Sequence, residues 1–494
     1  MPGHLSFHPS QRGQEHDGGA HPINEAAMVS DQPGPIPNAT VIADAVRSGR
    51  LTARAAVEHS LARIARHDPA LNAFTVVRAD QARAEADAQD AGGRGHHGPL
   101  AGVPVAVKEE YDVAGLVTTL GGRGNSTPAA SDSDVIKRLR DAGAIIVGKT
   151  AMPEFGQFPH TEGLDRGRTH NPWALDRSPG GSSGGSAVAV ASGMVPIALG
   201  ADGGGSIRIP ASACGLVGLK PQRGRITPSP LIEHWFGLVV LGALTRSVAD
   251  QALVLDAIAG SLPADRYRAA PLKEPLTSAI TGRPRLRVGW TTKPVMPGAK
   301  VDPEVSDAMA AFGSRLAGLG HAASPIEPRW PVPTPAFLPQ FFAGMRVEAG
   351  QVEHPERLEP RTRATVAMSG WATPRVVEAA LAAGRRVTAA LDALLADWDV
   401  IAVPTMTVPP PKLGLLDGLG AVRSLLKSTP IVGNTAIFNV SGHPALSIPM
   451  GLTSDGLPLG VQLLGPYGGE GRLLALAAEL EEAQPWDAVA PAYR

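Results

Sequence analysis

Pro179-Gly-Gly-Ser-Ser-Gly-Gly-Ser186, followed closely by Gly200-Ala-Asp-Gly-Gly-Gly-Ser-Ile-Arg-Ile-Pro210, sets serines among glycines twice in one short stretch. Gly-Gly-Gly-Ser is also the composition of a flexible linker, but a linker is polar on both sides. Here the apolar runs Val195 to Leu199 and Ile207 to Leu219 enclose the second glycine cluster. The glycines therefore belong inside a fold. There they permit close approach and unusual dihedrals, so that backbone amides can converge beside a hydroxyl.

A third segment lies upstream. Gly102-Val-Pro-Val-Ala-Val-Lys108 is short, apolar and β-branched, the pattern of a buried strand whose end delivers Lys108. Around it, strand and helix signals alternate. Val57, Leu61 and Ile64 recur at helical spacing in a helix that ends before Pro69, and Asp80 to Ala91 predicts a second helix. A helix over 133–142 (Val135, Ile136, Leu139) stops at Gly143, and Ala144-Ile-Ile-Val147 continues as a strand. Further on, Arg285 to Trp290 predicts a strand, and Asp302-Pro303 opens a helix carrying Val305, Met309, Phe312 and Leu316 on one face. Strands return at Val400 to Val403, Ala445 to Met450 and Leu459 to Leu464, the last two joined across an Asp455-Gly456 turn. The alternation argues for an α/β fold. Residues 325–375, rich in proline, aromatic and charged side chains, predict a loop-rich region near a pocket.

Two matches to familiar motifs fail in context. Gly143-Ala-Ile-Ile-Val-Gly-Lys-Thr150 has the letters of a phosphate-binding loop, but Ala-Ile-Ile-Val is a buried-strand sequence whose amides pair with neighbours instead of curling round an anion. Gly181-Ser-Ser-Gly-Gly185 has the letters of a nucleophile elbow centred on Ser183. That turn needs an apolar strand before it, and Asp176-Arg-Ser-Pro-Gly180 is not one. The elbow also needs a histidine, and His234, His321, His354 and His443 have no distinguishing context.

Bulk properties narrow the partners. The 494 residues carry a formal net charge of -1 with 18% charged residues, which gives no electrostatic footprint for nucleic acid or an acidic membrane surface and suits a small neutral substrate. Length alone admits about three domains or one large α/β domain. The single cysteine, Cys214, sits in the apolar run Ala211 to Val217, which predicts a packing thiol and excludes a disulfide framework. Residues 1–40 are rich in His, Gly, Pro and Gln and contain no apolar stretch of signal-peptide length; they read as a disordered extension, with the ordered domain over 41–494 in a soluble, cytoplasmic protein.

Taken together, the Gly-Ser signature and Lys108 resemble the amidase signature family. Gly218-Leu-Lys-Pro221, Leu244-Thr-Arg-Ser-Val-Ala-Asp250, Asp399-Val-Ile-Ala-Val-Pro-Thr405 and Gly442-His-Pro-Ala-Leu-Ser-Ile-Pro449 extend the likeness along the chain. The resemblance implies one α/β domain, a large twisted mixed sheet surrounded by helices. It implies Ser206 as nucleophile, Ser182 as a middle serine held by a cis peptide, and Lys108 as general base, with separations of 74 and 24 residues that fit the family's usual ones. The amides of Gly203, Gly204, Gly205 and Ser206 are then the expected oxyanion hole, with Ser183, Asp202 and Arg208 in support. Tyr111, His234, Trp235 and Phe236 are expected in the pocket wall on aromatic content. No metal or cofactor is implied, and a homodimer is compatible with the family.

The chemistry suits these residues. A serine hydroxyl needs an adjacent base, and a lysine of ordinary pKa, about 10.4, is charged and accepts no proton. Burial among Pro104-Val-Ala-Val107 disfavours the ammonium and makes Lys108 a base. Ser182 then relays the proton, a Ser-Lys variation on triad logic. The expected reaction is hydrolysis of linear carboxamides through an acyl-enzyme, with aryl esters or carbamates as further substrates. The competing expectations are an amidotransferase subunit that delivers ammonia to a partner and a scaffold without activity. Two departures from the family stand out: Glu109-Glu110-Tyr111 follow the lysine where Asp and Asn or Asp are usual, and Ala201 replaces a small hydroxyl residue.

Overall fold

Apolar, β-branched runs bounded by turn residues form the central strands of the computed structural model, which describes residues 34–487 and 489–494. In chain order these are β1 (Phe74–Val77), β2 (Pro104–Lys108), β3 (Ile145–Thr150), β4 (Glu162–Gly163), β5 (Gly167–Arg168), β6 (Ile197–Asp202) and β7 (Val217–Lys220). They continue as β8 (Val240–Thr245), β9 (Arg287–Trp290), β10 (Ala322–Pro325), β11 (Val400–Pro404), β12 (Ala445–Leu452) and β13 (Pro458–Leu464). All but the short β4–β5 ribbon join one mixed sheet of 11 strands, ordered β1-β3-β2-β6-β8-β7-β12-β13-β11-β9-β10. Helices cover both faces, so β2, β3, β6, β8, β11 and β13 are buried throughout, which is why they read as continuous apolar runs and not as alternating ones. This is the single α/β domain with a large mixed sheet that the resemblance implied.

The register places the functional segments. β2 and β6 are parallel neighbours, with Val107 opposite Leu199. Their carboxyl ends therefore deliver Lys108 and Asp202 to the same edge of the sheet, where ligands bind in open α/β sheets. The glycine run follows Asp202 directly and leads into the helix Arg208–Cys214. The first glycine segment leads into Gly184–Ala191, whose small residues are buried on every side. The Ser183 amide donates to the Ser206 carbonyl at 3.2 Å and ties the two segments together.

Gly143 to Thr150 enters β3, whose residues pair in parallel with β2 and antiparallel with β1, so its amides lie in ladders and form no phosphate cradle. Cys214 is fully buried, and burial pushes its thiol up.

Several expectations need correction. The helix carrying Val57 and Leu61 runs from Ala53 to Leu71, through Pro69, and closes on Asn72 in the left-handed region. Packing begins ahead of residue 41: Ile36 is buried, its carbonyl accepts from Arg246 at 2.6 Å, and the helix Ala39–Arg47 starts with its amides on Asp250. The remainder of the expected extension, 1–33, lies outside the described residues. Residues 325–375 are not loop-rich. They contain the helices Thr334–Gln351 and Pro360–Ala367; Pro339 within the first and the run of prolines before it mask the helical period. Among the described residues no helix is long and apolar enough to cross a membrane.

Candidate active site

Lys108 is the last residue of β2 and is 1% exposed, while Ser182 is 2% and Ser206 9% exposed, so accessibility rises from the lysine toward Ser206. Lys108 Nζ donates to Ser182 Oγ at 2.9 Å and to the Ala201 carbonyl at 3.4 Å. Burial pushes the Lys108 ammonium below the ordinary lysine value, against the pull of Glu110 and Asp202, which favour the charged form. The Gly181–Ser182 peptide is cis. All three side chains line one cavity, about 680 Å³ of free space including its mouth. Gly156 also lines it, at φ 65°, and a Cβ there would stand 3.0 Å from Ser182 Oγ.

The loop that carries Ser206 is fixed from behind. The Asp202 carboxylate accepts the amides of Gly205 (2.7 Å), Ile207 (3.2 Å) and Arg208 (3.4 Å). It also takes Arg208 Nε at 2.9 Å and Nη2 at 2.8 Å, and Asn439 Nδ2 at 2.8 Å. Burial alone would raise this carboxyl; the Arg208 guanidinium, Asn439 and Lys220 outweigh it and hold it well below the usual carboxylate range. Arg208 is equally saturated, its remaining N–H groups going to the Thr435 carbonyl, Gln462 Oε1 and Asn439 Oδ1 at 2.7–3.0 Å. Thr435 Oγ1 donates to the Gly204 carbonyl at 2.5 Å.

Gly203, Gly204 and Ser206 line the cavity. Gly205 does not: its amide is taken by Asp202, which corrects its assignment to the hole. Ser183 is fully buried and its hydroxyl lies 3.3 Å from both the carbonyl and the amide of Ala201. It supports the turn and has no access to substrate, so the elbow reading fails.

The wall residues divide. His234 and Trp235 line the cavity. His234 Nε2 lies 2.6 Å from Glu348 Oε1, which also accepts Trp235 Nε1 at 3.2 Å. Burial lowers the His234 imidazolium, but Glu348, with Glu110 adding, wins and raises it above the ordinary value. Tyr111 is a correction: it is buried beneath the site, its hydroxyl donating to the Gly200 carbonyl at 2.7 Å. Phe236 is another, since it packs against the apolar cluster around Phe341 and not into the cavity.

Sequence reasoning did not single out Phe155, Gln157, Phe158, Phe337 and Phe341, which line the cavity together with Leu425, Ser428 and Val432 from the helix Ala421–Val432. Phe337 and Phe341 are four apart on Thr334–Gln351, a spacing that puts both on one helix face and could have revealed them. Trp235 meets Phe341 edge-on at 5.4 Å. Glu109 turns away from the cavity to Lys149, 3.2 Å distant, and the Thr119 amide, whereas Glu110 lines it.

A buried lysine on a serine, beside a second serine in a glycine-walled cavity, suits attack on a carbonyl, and comparison with known proteins narrows the class to amides. The Amidase family model matches residues 55–474, and the chain belongs to this family, the amidase signature hydrolases. A Mycobacterium tuberculosis protein with the assigned name of an amidase, AmiB2, is 43% identical over 444 residues, covering 89% of this chain and 94% of that one. The 6-aminohexanoate-cyclic-dimer hydrolase of Paenarthrobacter ureafaciens is 36% identical over 483 residues, 92% of this chain and 96% of its own. A solved structure of a 6-aminohexanoate cyclic dimer hydrolase superposes with a TM-score of 0.87 at 34% identity, covering 92% of this chain and 99% of that chain. A bacterial aryl acylamidase of the amidase signature family gives 0.82 at 27% identity, with 93% and 99% coverage.

Proposed function

We propose that this amide hydrolase works through Ser206, Ser182 and Lys108 and forms an acyl-enzyme. The observation that carries the reading is the 2.9 Å hydrogen bond from a fully buried lysine, whose ammonium is disfavoured, to Ser182 Oγ in the cavity that Ser206 faces. Neutral Lys108 takes a proton from Ser182 as Ser182 takes one from Ser206, and Ser206 Oγ bonds to the carboxamide carbon. The amides of Gly203, Gly204 and Ser206 receive the oxyanion; donors preset in this way are worth about 3–4 kcal/mol each when removed one at a time. The proton returns through Ser182 to the leaving nitrogen, the C–N bond breaks, and amine or ammonia departs. Water, deprotonated along the same route, then breaks the ester and releases carboxylate.

The largely apolar wall suits aliphatic or aryl groups on either side of the amide. Aryl esters and carbamates present the same carbonyl to the same nucleophile. Labelling by a fluorophosphonate at Ser206 in the wild type, absent in Ser206→Ala, tests the nucleophile; equal labelling of both proteins would refute it. A panel of linear anilides, aliphatic amides, cyclic diamides, aryl esters and carbamates, with Ser206→Ala as blank, reads the substrate range. The amidotransferase reading predicts that the purified chain turns over none of the panel without a second subunit.

A further inference from the structure

The cavity holds a carboxylate, Glu110, whose one ion pair among the described residues is with the proposed base, Lys108. Glu110 Oε1 is buried 3.4 Å from Lys108 Nζ and receives no hydrogen bond, while the side chain as a whole stays 11% exposed to the cavity it lines. The other charged groups nearby are matched. Asp202 is saturated by Arg208 and backbone amides, His234 is paired with Glu348 at 2.6 Å, and Glu109 is held by Lys149. Lys108 acts as a base only without its proton. In that state Glu110 loses its nearest cation, and the two others that feel its charge, His234 and Lys149, are already held by Glu348 and Glu109.

We propose that Glu110 is a cation subsite that receives a protonated amino group of the amide substrate, so that the enzyme selects amino-bearing amides over neutral and carboxylate-bearing ones. This rests on the reading of Ser206, Ser182 and Lys108 as the hydrolytic centre. An ammonium entering an apolar cavity loses its hydration and needs an anionic acceptor there. A carboxylate supplies a charge-assisted hydrogen bond, about twice as strong as a neutral one. The same carboxylate repels a substrate that brings a second one, so discrimination has an attractive and a repulsive part. Docking of the ammonium also offsets the field of Glu110 on Lys108, which favours the neutral, proton-accepting lysine when substrate is in place. The near-zero charge of the whole chain favoured a neutral substrate, but charge summed over a surface says little about one enclosed carboxylate.

The test uses the full-length enzyme and matched para-nitroanilides: aminovaleryl, its methyl isostere hexanoyl, and the carboxylate analogue adipoyl. A second series places the amino group on the leaving side, comparing valeramides of diaminobutane and pentylamine. Wild type is expected to favour the amino member over its isostere by roughly 10- to 100-fold in kcat/KM in at least one series, the span of a hydrogen bond to a charged group. It should turn over the carboxylate member more slowly than either. In Glu110→Gln the amino-to-isostere ratio falls to about one, and Glu110→Asp restores part of it. A wild-type ratio near one in both series overturns the proposal, and that measurement needs no variant to fold. A ratio that persists in Glu110→Gln overturns it too, as does a Glu110→Gln effect confined to the pH profile and equal for all substrates. Failure of every substrate together with absent fluorophosphonate labelling of Ser206 instead removes the hydrolytic centre on which the proposal stands.

Discussion

Replacing Asp202 by Asn removes one charge and leaves the shape nearly unchanged, yet the geometry around the carboxylate makes it a severe change. Each oxygen faces three donors: Oδ1 the Gly205 amide, Arg208 Nη2 and Asn439 Nδ2, and Oδ2 the amides of Ile207 and Arg208 with Arg208 Nε. Whichever way the new amide turns, its NH2 meets three donors and accepts from none. The fully buried guanidinium also loses its counter-charge. Breaking a buried ion pair from one side costs about 3–5 kcal/mol. That is a large share of the roughly 5–15 kcal/mol that holds a protein folded.

Urea unfolding followed by tryptophan fluorescence measures the loss, and hydrolysis of an anilide measures its reach into the site. Gly205 and Ile207 flank Ser206, so release of their amides displaces the proposed nucleophile; a shift of about 1 Å costs about a hundredfold in rate. The expected result for Asp202→Asn is destabilisation of about 3–5 kcal/mol and a kcat lowered by about a hundredfold or more. Arg208→Met should be destabilising on the same scale. The double variant should be less damaged than the sum of the singles by about 2 kcal/mol or more, because neither buried group is then left alone. Additivity within about 0.5 kcal/mol, or near-native activity in Asp202→Asn, would refute the reasoning. The pH dependence has a fixed sign. The folded carboxyl is held below its unfolded value of 3.8, so its stabilisation is present above that value and is lost as pH falls below it. Asp202→Asn should lack this acid-linked loss.

The proposed base makes a second pH prediction. Because Lys108 is pushed below 10.5 and must be neutral to act, kcat/KM should rise with pH along a limb centred below 10.5; a limb at or above it contradicts the assignment. Over the window between the folded value and 10.5 the unfolded chain holds the extra proton, so stability rises with pH there, and Lys108→Met should flatten that slope in urea titrations at successive pH values while abolishing hydrolysis. Ser182→Ala should lower kcat by about a thousandfold or more, as loss of a proton-relay group does, and Ser183→Ala far less, since its hydroxyl reaches only Ala201; the reverse order restores the elbow reading. Gly156→Ala should lower kcat, because its Cβ would crowd Ser182 Oγ at 3.0 Å from a backbone at φ 65°; steady-state kinetics equal to wild type count against that contact.

How far the site could be read from the chain depended on whether each constraint was local. Lys108, Ser182 and Ser206 announce themselves because what they require lies beside them: an apolar strand that buries the lysine, and glycines that let the chain approach the serines closely. The strands of the sheet centre were legible for a related reason, since burial on both faces leaves continuous apolar runs. What escaped is what distant parts of the chain supply. His234 had no distinguishing context because Glu348, the group that orients it, stands 114 residues away on a helix whose period is interrupted by Pro339. Asn439 and Thr435, which close the back of the Ser206 loop, sit in an ordinary apolar segment and matter only once β12 and β13 bring the chain home beside β7. Tyr111 and Phe236 show the converse error: aromatic rings beside a site motif in sequence need not face the cavity, because a strand end and a tight turn each send neighbouring side chains to opposite sides. That alternation is also what separates Glu109 from Glu110. The two look interchangeable as letters, but one folds back to hold Lys149 and the other enters the cavity, where its charge has consequences for the substrate.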